Sequence, residues 1–431
     1  MLCNQCEQSM PGGCSGATGN CGKNPDVQSM QEMILYGLKG MAAYANHARR
    51  LGKVDESVSA FIEEALFSTM TNVNFDLGSL VGIAMELGRK NFRVMELLDE
   101  GHIEKFGKPS PAQVKEGTQA GPGILITGHD MLDLWNLLEQ VRGTKIKVYT
   151  HGEMLPAHMY PKLREHPNLA GHFGGAWQDQ RIEFQAFTGP VVATTNCILI
   201  PSPAYADRIF TTRYTAVPGG TQLKGDDFAP VIRKAMECQE LAEKIEKTST
   251  IGFHRSVLLD AAGTIVDAVK GGKISRFFVI GGCDGMRKGR NYFSDYAAAT
   301  PADSFILTLG CGKYRIRDHE YGTLLGLPRL LDMGQCNDAY GAISVAVALA
   351  KAFNCGVNDL PLTLVVSWFE QKAVAVLLTL LALGVKGITI GPTAPQWVTP
   401  GVFNYLVDKF DLRLSGNDPQ GDLAKAMASK N

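Results

Sequence analysis

Between Arg276 and Lys372 the chain four times carries a short apolar run that ends in a metal-type ligand set among glycines. The runs are RFFVIGGCDG, ending at Cys283; SFILTLGCGK, at Cys311; PRLLDMGQC, at Cys336; and LTLVVSWFEQK, at Glu370. Short β-branched and aromatic runs bounded by glycine predict strands buried on both faces of a parallel sheet. In such sheets ligands bind in the crevice beyond the carboxyl ends of the strands. Three thiols and a carboxylate delivered to one sheet edge therefore predict a site there.

The 431 residues suffice for two or three domains with real cores. A net charge of −1 with 20% charged residues gives no basic footprint for nucleic acid. The opening MLCNQCEQ has neither a charged n-region nor an apolar h-region, so a cytoplasmic location is expected. The longest apolar stretch, Ala373 to Val385, is shorter than the ~20 residues that a bilayer needs and reads as a core helix. Ten cysteines without a secretory signal point to metal or redox chemistry rather than disulfides.

The first thiols, Cys3, Cys6, Cys14 and Cys21, lie in CNQCEQSMPGGCSGATGNCGK. Four thiolates so close in sequence can close on one iron–sulfur cluster or one tetrahedral zinc, and a redox CxxC is a third reading. Loop glycines that let backbone amides approach cluster sulfurs favour iron–sulfur. Three amphipathic helices are expected next. The first opens on the capping box Ser29-Met30-Gln31-Glu32 and carries Met30, Ile34, Leu38, Met41 and Ala45 on one face. The second carries Val58, Phe61, Ile62, Ala65 and Leu66; the third follows Asp76 as N-cap, with Leu80, Ala84, Leu87, Val94 and Leu98 inward. His47 is expected at a solvated helix end, and Lys105 to Gly123 as a Pro-rich linker.

Beyond the linker the period changes. GILITGHD, TKIKVYTHGE and GPVVATTNC predict strands ending at His129, Glu153 and Cys197, with Asp130 capping a helix over MLDLWNLLEQV. An amphipathic segment over Asp226 to Glu246 is expected to close this unit, with Thr248 to Gly252 beginning the next and a helix from Arg255 to Val269 following. ILITGHD and FFVIGGCDG share the pattern strand, glycine, ligand, aspartate, which suggests two similar α/β units. The predicted fold is multi-domain α and α/β. An iron–sulfur motif and three-helix bundle occupy 1–107, and two Rossmann-like α/β domains with parallel sheets occupy 108–250 and 251–431. Cys238 and Cys355 fall outside this pattern and are expected to be ordinary buried thiols.

If the strand ends of the two units face each other, His129, Glu153, Cys197, Cys283, Cys311, Cys336 and Glu370 meet, with Lys372 beside them. Thiolates suit iron–sulfur, whereas an imidazole and two carboxylates suit harder iron carrying oxygen ligands. The mixed set implies a cluster with a sulfur-ligated half and an open, oxygen-bearing half that a small substrate can reach. Taken singly, each His or Glu could equally cap a helix or pair with an arginine.

The segments CNQCEQ, TGHD, THGEMLPAH, GGAWQ, TTNC, GGCDG, LGCGKYR, GQCNDAY and SWFEQK together resemble the hybrid-cluster (prismane) proteins, the hydroxylamine reductase family, along almost the whole chain. The resemblance implies an N-terminal [4Fe–4S] cluster, or [2Fe–2S], on Cys3, Cys6, Cys14 and Cys21. It implies a hybrid [4Fe–2O–2S] cluster on His129, Glu153, Cys197, Cys283, Cys311, Cys336 and Glu370. Cys283 matches the family's persulfide cysteine and Lys372 its lysine close to the cluster. Only one bundle's worth of helices precedes the α/β part, so the chain resembles the short class that lacks one three-helix bundle.

The activity implied is reduction of a small N–O species, hydroxylamine to ammonia and water, with Glu370, Lys372 and Glu153 as catalytic residues. Nitric oxide is the rival substrate, in an anaerobic, cytoplasmic setting. No GxGxxG fingerprint follows a strand, so a separate electron-donor protein is expected. The other partners expected are the small substrate and a second copy of the chain, with no nucleic acid and no membrane. Two further readings are a protein that transfers nitrosyl groups to partner thiols and a carbon monoxide dehydrogenase relative, which shares the fold. A carboxylate pair suits oxo-iron better than a nickel–sulfide site.

Overall fold

The computed structural model describes residues 3–9 and 11–428. Two large sheets dominate it. The first contains β1 (Ala112–Thr118), β2 (Gly123–Thr127), β3 (Lys147–His151), β4 (Leu169–His172), β5 (Val191–Ala193), β6 (Ile209–Thr211), β7 (Thr221–Gln222) and β8 (Lys244–Ile251). Their order is β7-β6-β5-β2-β3-β4-β1-β8, parallel except for β1 against β8. The second holds β9 (Arg276–Gly282), β10 (Ser304–Thr308), β13 (Leu330–Asp332), β14 (Leu362–Ser367), β15 (Ile388–Gly391) and β16 (Arg413–Leu414). Between β10 and β13 in sequence, β11 (Thr323–Leu324) and β12 (Leu327–Pro328) form a separate hairpin. The second sheet runs β13-β10-β9-β14-β15-β16 and is wholly parallel.

Setting aside β1 and β8, both sheets follow the 3-2-1-4-5-6 order of doubly wound α/β sheets. Each therefore reverses direction once, between β2 and β5 in the first and between β9 and β14 in the second. Central strands are apolar throughout, as burial on both faces requires: every residue of β2 and of β10 is buried.

The N-terminal helices are α1 (Pro25–Arg50), α2 (Glu56–Ser68) and α3 (Leu77–Phe106). Helix α1 begins earlier than the Ser29 capping box predicts. Asn24 Oδ1 accepts from the Val27 amide and Pro25 follows at the first helical position, so the first turn closes there and Ser29 lies buried inside the helix. Asp76 caps α3 as expected, through the Ser79 amide. In α2, Val58, Phe61 and Ala65 face inward, but Leu66 is exposed.

These three helices do not bury their faces only on one another. Ile34, Leu38, Met41, Leu87 and Met95 belong to one continuous core with Leu307, Leu331 and Leu364 of the second sheet and Leu378 of the Gln371–Ala382 helix. Each such side chain taken from water contributes roughly 1.5–3 kcal/mol. The Gln371–Ala382 helix approaches α1 closely enough that a Cβ on Gly40 would sit 2.5 Å from the Gln371 carbonyl oxygen, so that contact requires glycine.

Several local expectations are corrected. The supposed linker contains β1, whose polar residues hide its alternation and which pairs along its length with β8. Thr248 to Ile251 is the end of β8 in the first sheet, not the start of the next element. The Asp226–Glu246 segment is helical only over Ala229–Glu237, and the Arg255–Val269 helix is divided at Ala261. His47 is buried rather than solvated, its Nδ1 3.3 Å from Asp130 Oδ2. Arg50 joins the same carboxylate and also reaches Asp133 at 2.8 Å, so α1 is tied to α4 (Met131–Val141), which Asp130 caps. Burial would raise the Asp130 pKa, but His47 and Arg50 hold it well below the usual carboxylate range. Cys238 is half-buried and Cys355 exposed, so neither is a core thiol. Among the described residues no helix is long and apolar enough to cross a membrane.

Candidate metal centre

Every ligand-type residue singled out in the α/β part lies beyond the carboxyl end of a strand. Cys283 follows β9 directly; the preceding Gly282 has φ +97°, and a side chain there would strike the Ser367 carbonyl. Cys311 lies in the turn after β10, and Cys336 opens a short 3-10 turn after β13. Glu370, after β14, is the N-cap of the Gln371–Ala382 helix, yet its side chain makes no capping hydrogen bond and is left for another role. From the first sheet come His129 after β2, Glu153 in the Gly152–Met159 turn after β3, and Cys197 after β5. Cys197 has φ +69° and its carbonyl accepts from Gln180 Nε2 at 2.7 Å.

The two edges meet. His129 Nε2 lies 3.8 Å from Glu153 Oε2, which accepts the Cys336 amide at 2.9 Å. Donor atoms of His129, Glu153 and Cys336 all lie within 4.8 Å of one another. Thr195 Oγ1 sits 2.7 Å from His129 Nδ1, so the tautomer protonated there leaves the Nε2 lone pair toward Glu153. Burial, reinforced by Lys372, pushes the His129 pKa well below its ordinary value and keeps the ring neutral, the form that binds metal.

Lys372 is 1% exposed, donates to Asn196 Oδ1 at 2.6 Å, and lies 5.6 Å from the Tyr44 ring centre. Burial alone would lower its pKa; Cys336, Glu370, Cys197 and Glu153 outweigh that and raise it. On the thiols burial acts the other way, raising the pKa. Burial, with Glu370 adding to it, pushes Cys283 up to about 12. Burial likewise raises Cys197, Cys311 and Cys336 well above the ordinary thiol range, each pushed further by acidic neighbours.

This donor set fits a mixed iron–sulfur–oxygen group. Four thiols, Cys311 buried and the others half-buried, lie near enough to Glu153, Glu370 and Lys372 to act on one another's charge, and bound metal charge would favour the deprotonated thiols and carboxylates. Glu153 Oε1 is buried without a hydrogen-bond partner, an oxygen in want of a ligand. Thiolates suit soft iron positions, and an imidazole with carboxylates suits hard ones; Cys336, whose donor lies within 4.8 Å of those of His129 and Glu153, joins the two kinds. An apolar cavity of about 390 Å³ runs through the core beside the second sheet; Phe305, Leu331 and Leu377 line it, and it reaches Cys283, Cys336 and Lys372.

The four N-terminal thiols occupy a separate loop. Cys3 and Cys14 are joined by a backbone bridge, with the Cys14 amide donating to the Cys3 carbonyl at 2.7 Å. Cys3 is buried, Cys6 and Cys14 half-buried and Cys21 exposed. Among the described residues, no three of these thiols have their sulfurs within 4.8 Å.

Sequence reasoning missed Tyr44, whose hydroxyl donates to Cys336 Sγ at 3.1 Å from the C-terminal third of α1. Nothing in its helical surroundings sets it apart from a core tyrosine. Gln335 and Asn196 were also missed, although each immediately precedes a cysteine of the expected ligand set. A second buried group, Asp99, His254 and Asp338, has its donor atoms within 4.8 Å, but Arg255 pairs with Asp99 and supplies the balancing charge.

A hydroxylamine reductase of Moorella thermoacetica is 55% identical over 96% of this chain and 97% of its own. One from Rhodospirillum rubrum is 52% identical over 94% of this chain but 73% of its own, so that relative carries sequence absent here. Carbon monoxide dehydrogenase IV from Carboxydothermus hydrogenoformans superimposes with a TM-score of 0.80 over 99% of this chain and 91% of its own; at 16% identity this shows the fold alone. The model of the Prismane/CO dehydrogenase family matches residues 1–81 and 76–420, and the chain belongs to that family.

Proposed function

We propose that this protein is an iron–sulfur oxidoreductase that reduces hydroxylamine to ammonia and water, taking up two electrons and two protons. The observation that carries the reading is the approach of His129, Glu153 and Cys336 across two facing sheet edges, with Cys197, Cys283, Cys311 and Glu370 in electrostatic reach of one another beside them. The name of relatives at about half identity over most of the chain supports it. His129, Glu153, Cys197, Cys283, Cys311, Cys336 and Glu370 would hold a hybrid [4Fe–2O–2S] cluster, and Cys3, Cys6, Cys14 and Cys21 a [4Fe–4S] cluster. When bound, the hybrid cluster supplies electrons and a hard iron that polarises the N–O bond.

The chain's own residues do the rest. Lys372, kept protonated by its acidic and thiol neighbours, holds a proton beside the pocket and a positive charge for the departing oxygen. Asn196 fixes that ammonium through its Oδ1. Glu370, its side chain not engaged in capping, is placed to pass protons. Glu153 is held through one oxygen by the Cys336 amide and has the other free, so its carboxylate can shift while its main chain stays. Buried walls exclude bulk water. Cys283 as a persulfide, an N-terminal three-helix bundle followed by two Rossmann-like domains, a cytoplasmic location, a separate electron-donor protein and a homo-oligomer complete the reading.

Nitric oxide, reduced in pairs to nitrous oxide and water by two electrons and two protons, is the second reading. The apolar cavity favours it: Lys372 is the one charged residue in its lining among the described residues, which suits a weakly polar gas better than strongly hydrogen-bonding hydroxylamine. Steady-state assays of the anaerobically loaded protein with each substrate and a viologen donor decide between them. Rapid turnover of hydroxylamine supports the first; slow turnover with rapid consumption of nitric oxide moves the assignment to the second.

A further inference from the structure

The side chain of Gln335 crosses from the second sheet's edge to the first. It is 1% exposed. Its Nε2 donates to the carbonyl of Glu153 at 2.6 Å and to that of His129 at 3.1 Å. Two carbonyl acceptors fix the amide's orientation, because a flipped amide would set oxygen against oxygen. Its backbone is held in turn: the Gln335 amide donates to Asp338 Oδ2 at 2.6 Å. The next residue is Cys336, whose amide binds the Glu153 carboxylate.

One amide group thus ties together the ends of β2, β3 and β13, each of which carries a donor of the tight His129, Glu153 and Cys336 group. We propose that Gln335 is the positioning residue for the hard half of the metal centre, holding the His129 and Glu153 main chains at a fixed separation against Cys336. The inference rests on the assignment of those three as ligands. Gln335 touches no reacting atom in this scheme; it sets where the imidazole and carboxylate start from, leaving the Glu153 side chain as the part free to move. Residues that orient ligands in this way act on metal retention as well as on turnover, by about 10–100-fold.

The test follows ferrous iron released to a chelator from the full chain, loaded and kept under anaerobic conditions. The release phase of the N-terminal site is identified with Cys6→Ser, and that of the mixed site with His129→Ala. Gln335→Met keeps the length of the side chain and removes both donors. It is expected to speed release from the mixed site by about 10–100-fold. The N-terminal phase and the far-UV circular dichroism should stay as in the parent. Release within twofold of the parent in Gln335→Met, with His129→Ala still fast, overturns the role of Gln335 alone. Release unchanged in His129→Ala as well overturns the ligand assignment and this inference with it. Where Gln335→Met does not fold, Gln335→Asn is used: it keeps the amide but is one methylene too short to span both carbonyls, and the same acceleration is expected.

Discussion

The hydroxyl of Tyr44, in the C-terminal third of α1, donates a hydrogen bond to Cys336 Sγ across 3.1 Å. The two residues are far apart in sequence, so the first helix is part of the wall of a centre whose ligands come from the α/β units. Tyr44 is 1% exposed, and Lys372 lies over its ring. A hydrogen bond to a thiolate withdraws charge from it and raises the potential of the attached iron. Tyr44→Phe is expected to fold with a loss of about 1 kcal/mol and to lower the midpoint potential of the mixed cluster. A redox titration followed by electron paramagnetic resonance checks this, and an unchanged potential would show that the hydrogen bond is absent in the loaded protein.

Lys372 balances the negative groups of the centre. Lys372→Met leaves Cys336, Glu370 and Glu153 without that charge and removes the proton store next to the substrate. The expected loss in kcat is about 10²–10⁴-fold with the iron content retained. Lys372→Arg should not restore it, since Asn196 and Tyr44 enclose a compact ammonium. Full activity in Lys372→Met would remove Lys372 from the mechanism, and full activity in Lys372→Arg would show that a positive charge alone suffices.

Asp99 anchors α3 to the second sheet's first helix. It accepts from His254 Nε2 at 2.6 Å and from Arg255 Nε at 2.9 Å, in a place where it is 2% exposed. Burial would raise its pKa, but His254 and Arg255 hold it below the usual range. Asp99→Asn leaves Arg255 unpaired and is expected to cost about 3–5 kcal/mol of stability. Thermal denaturation measures the loss; a transition within 1 °C of the parent would contradict it.

Falling pH should destabilise the chain through two buried histidines. Burial depresses His158 and His102 from 6.5 to about 4 each, so both are neutral in the folded protein at pH 7. Unfolded chains bind those protons near pH 6.5 and the folded protein only near pH 4, so the unfolded state takes up more protons between the two. The stabilisation is therefore present above pH 6.5 and lost as pH falls to about 4. The loss amounts to roughly 3 kcal/mol per histidine. Melting curves from pH 7 to 4.5 should show a steep decline that His158→Gln makes shallower; identical slopes would refute the buried-neutral assignment.

Much of this was legible because the chemistry is local. GGCDG and TTNC each place a ligand just beyond an apolar run, so strand ends and donors could be read together, and Asp130 and Asp76 advertise their helices. What escaped depends on partners distant in sequence. His47 looks solvated until Asp130 of the first sheet meets it, and β1 looks like a linker until β8 returns to pair with it. The sharing of one core between α1, α3 and the Gln371–Ala382 helix cannot be read from any one helix's periodicity. Tyr44 and Gln335 act through contacts that only the folded chain creates.

The central claim is that thiols and carboxylates from both sheets hold one iron–sulfur–oxygen cluster, separate from that of the N-terminal loop. Its most direct test is the iron and labile-sulfide content of the anaerobically purified chain, with its paramagnetic spectrum, compared between the parent and Cys283→Ser. The expected result is two spectroscopically distinct iron–sulfur centres in the parent, with selective loss of one in Cys283→Ser while the N-terminal signal is spared. Zinc without iron in the parent, or full iron and an unchanged spectrum in Cys283→Ser, would contradict the account.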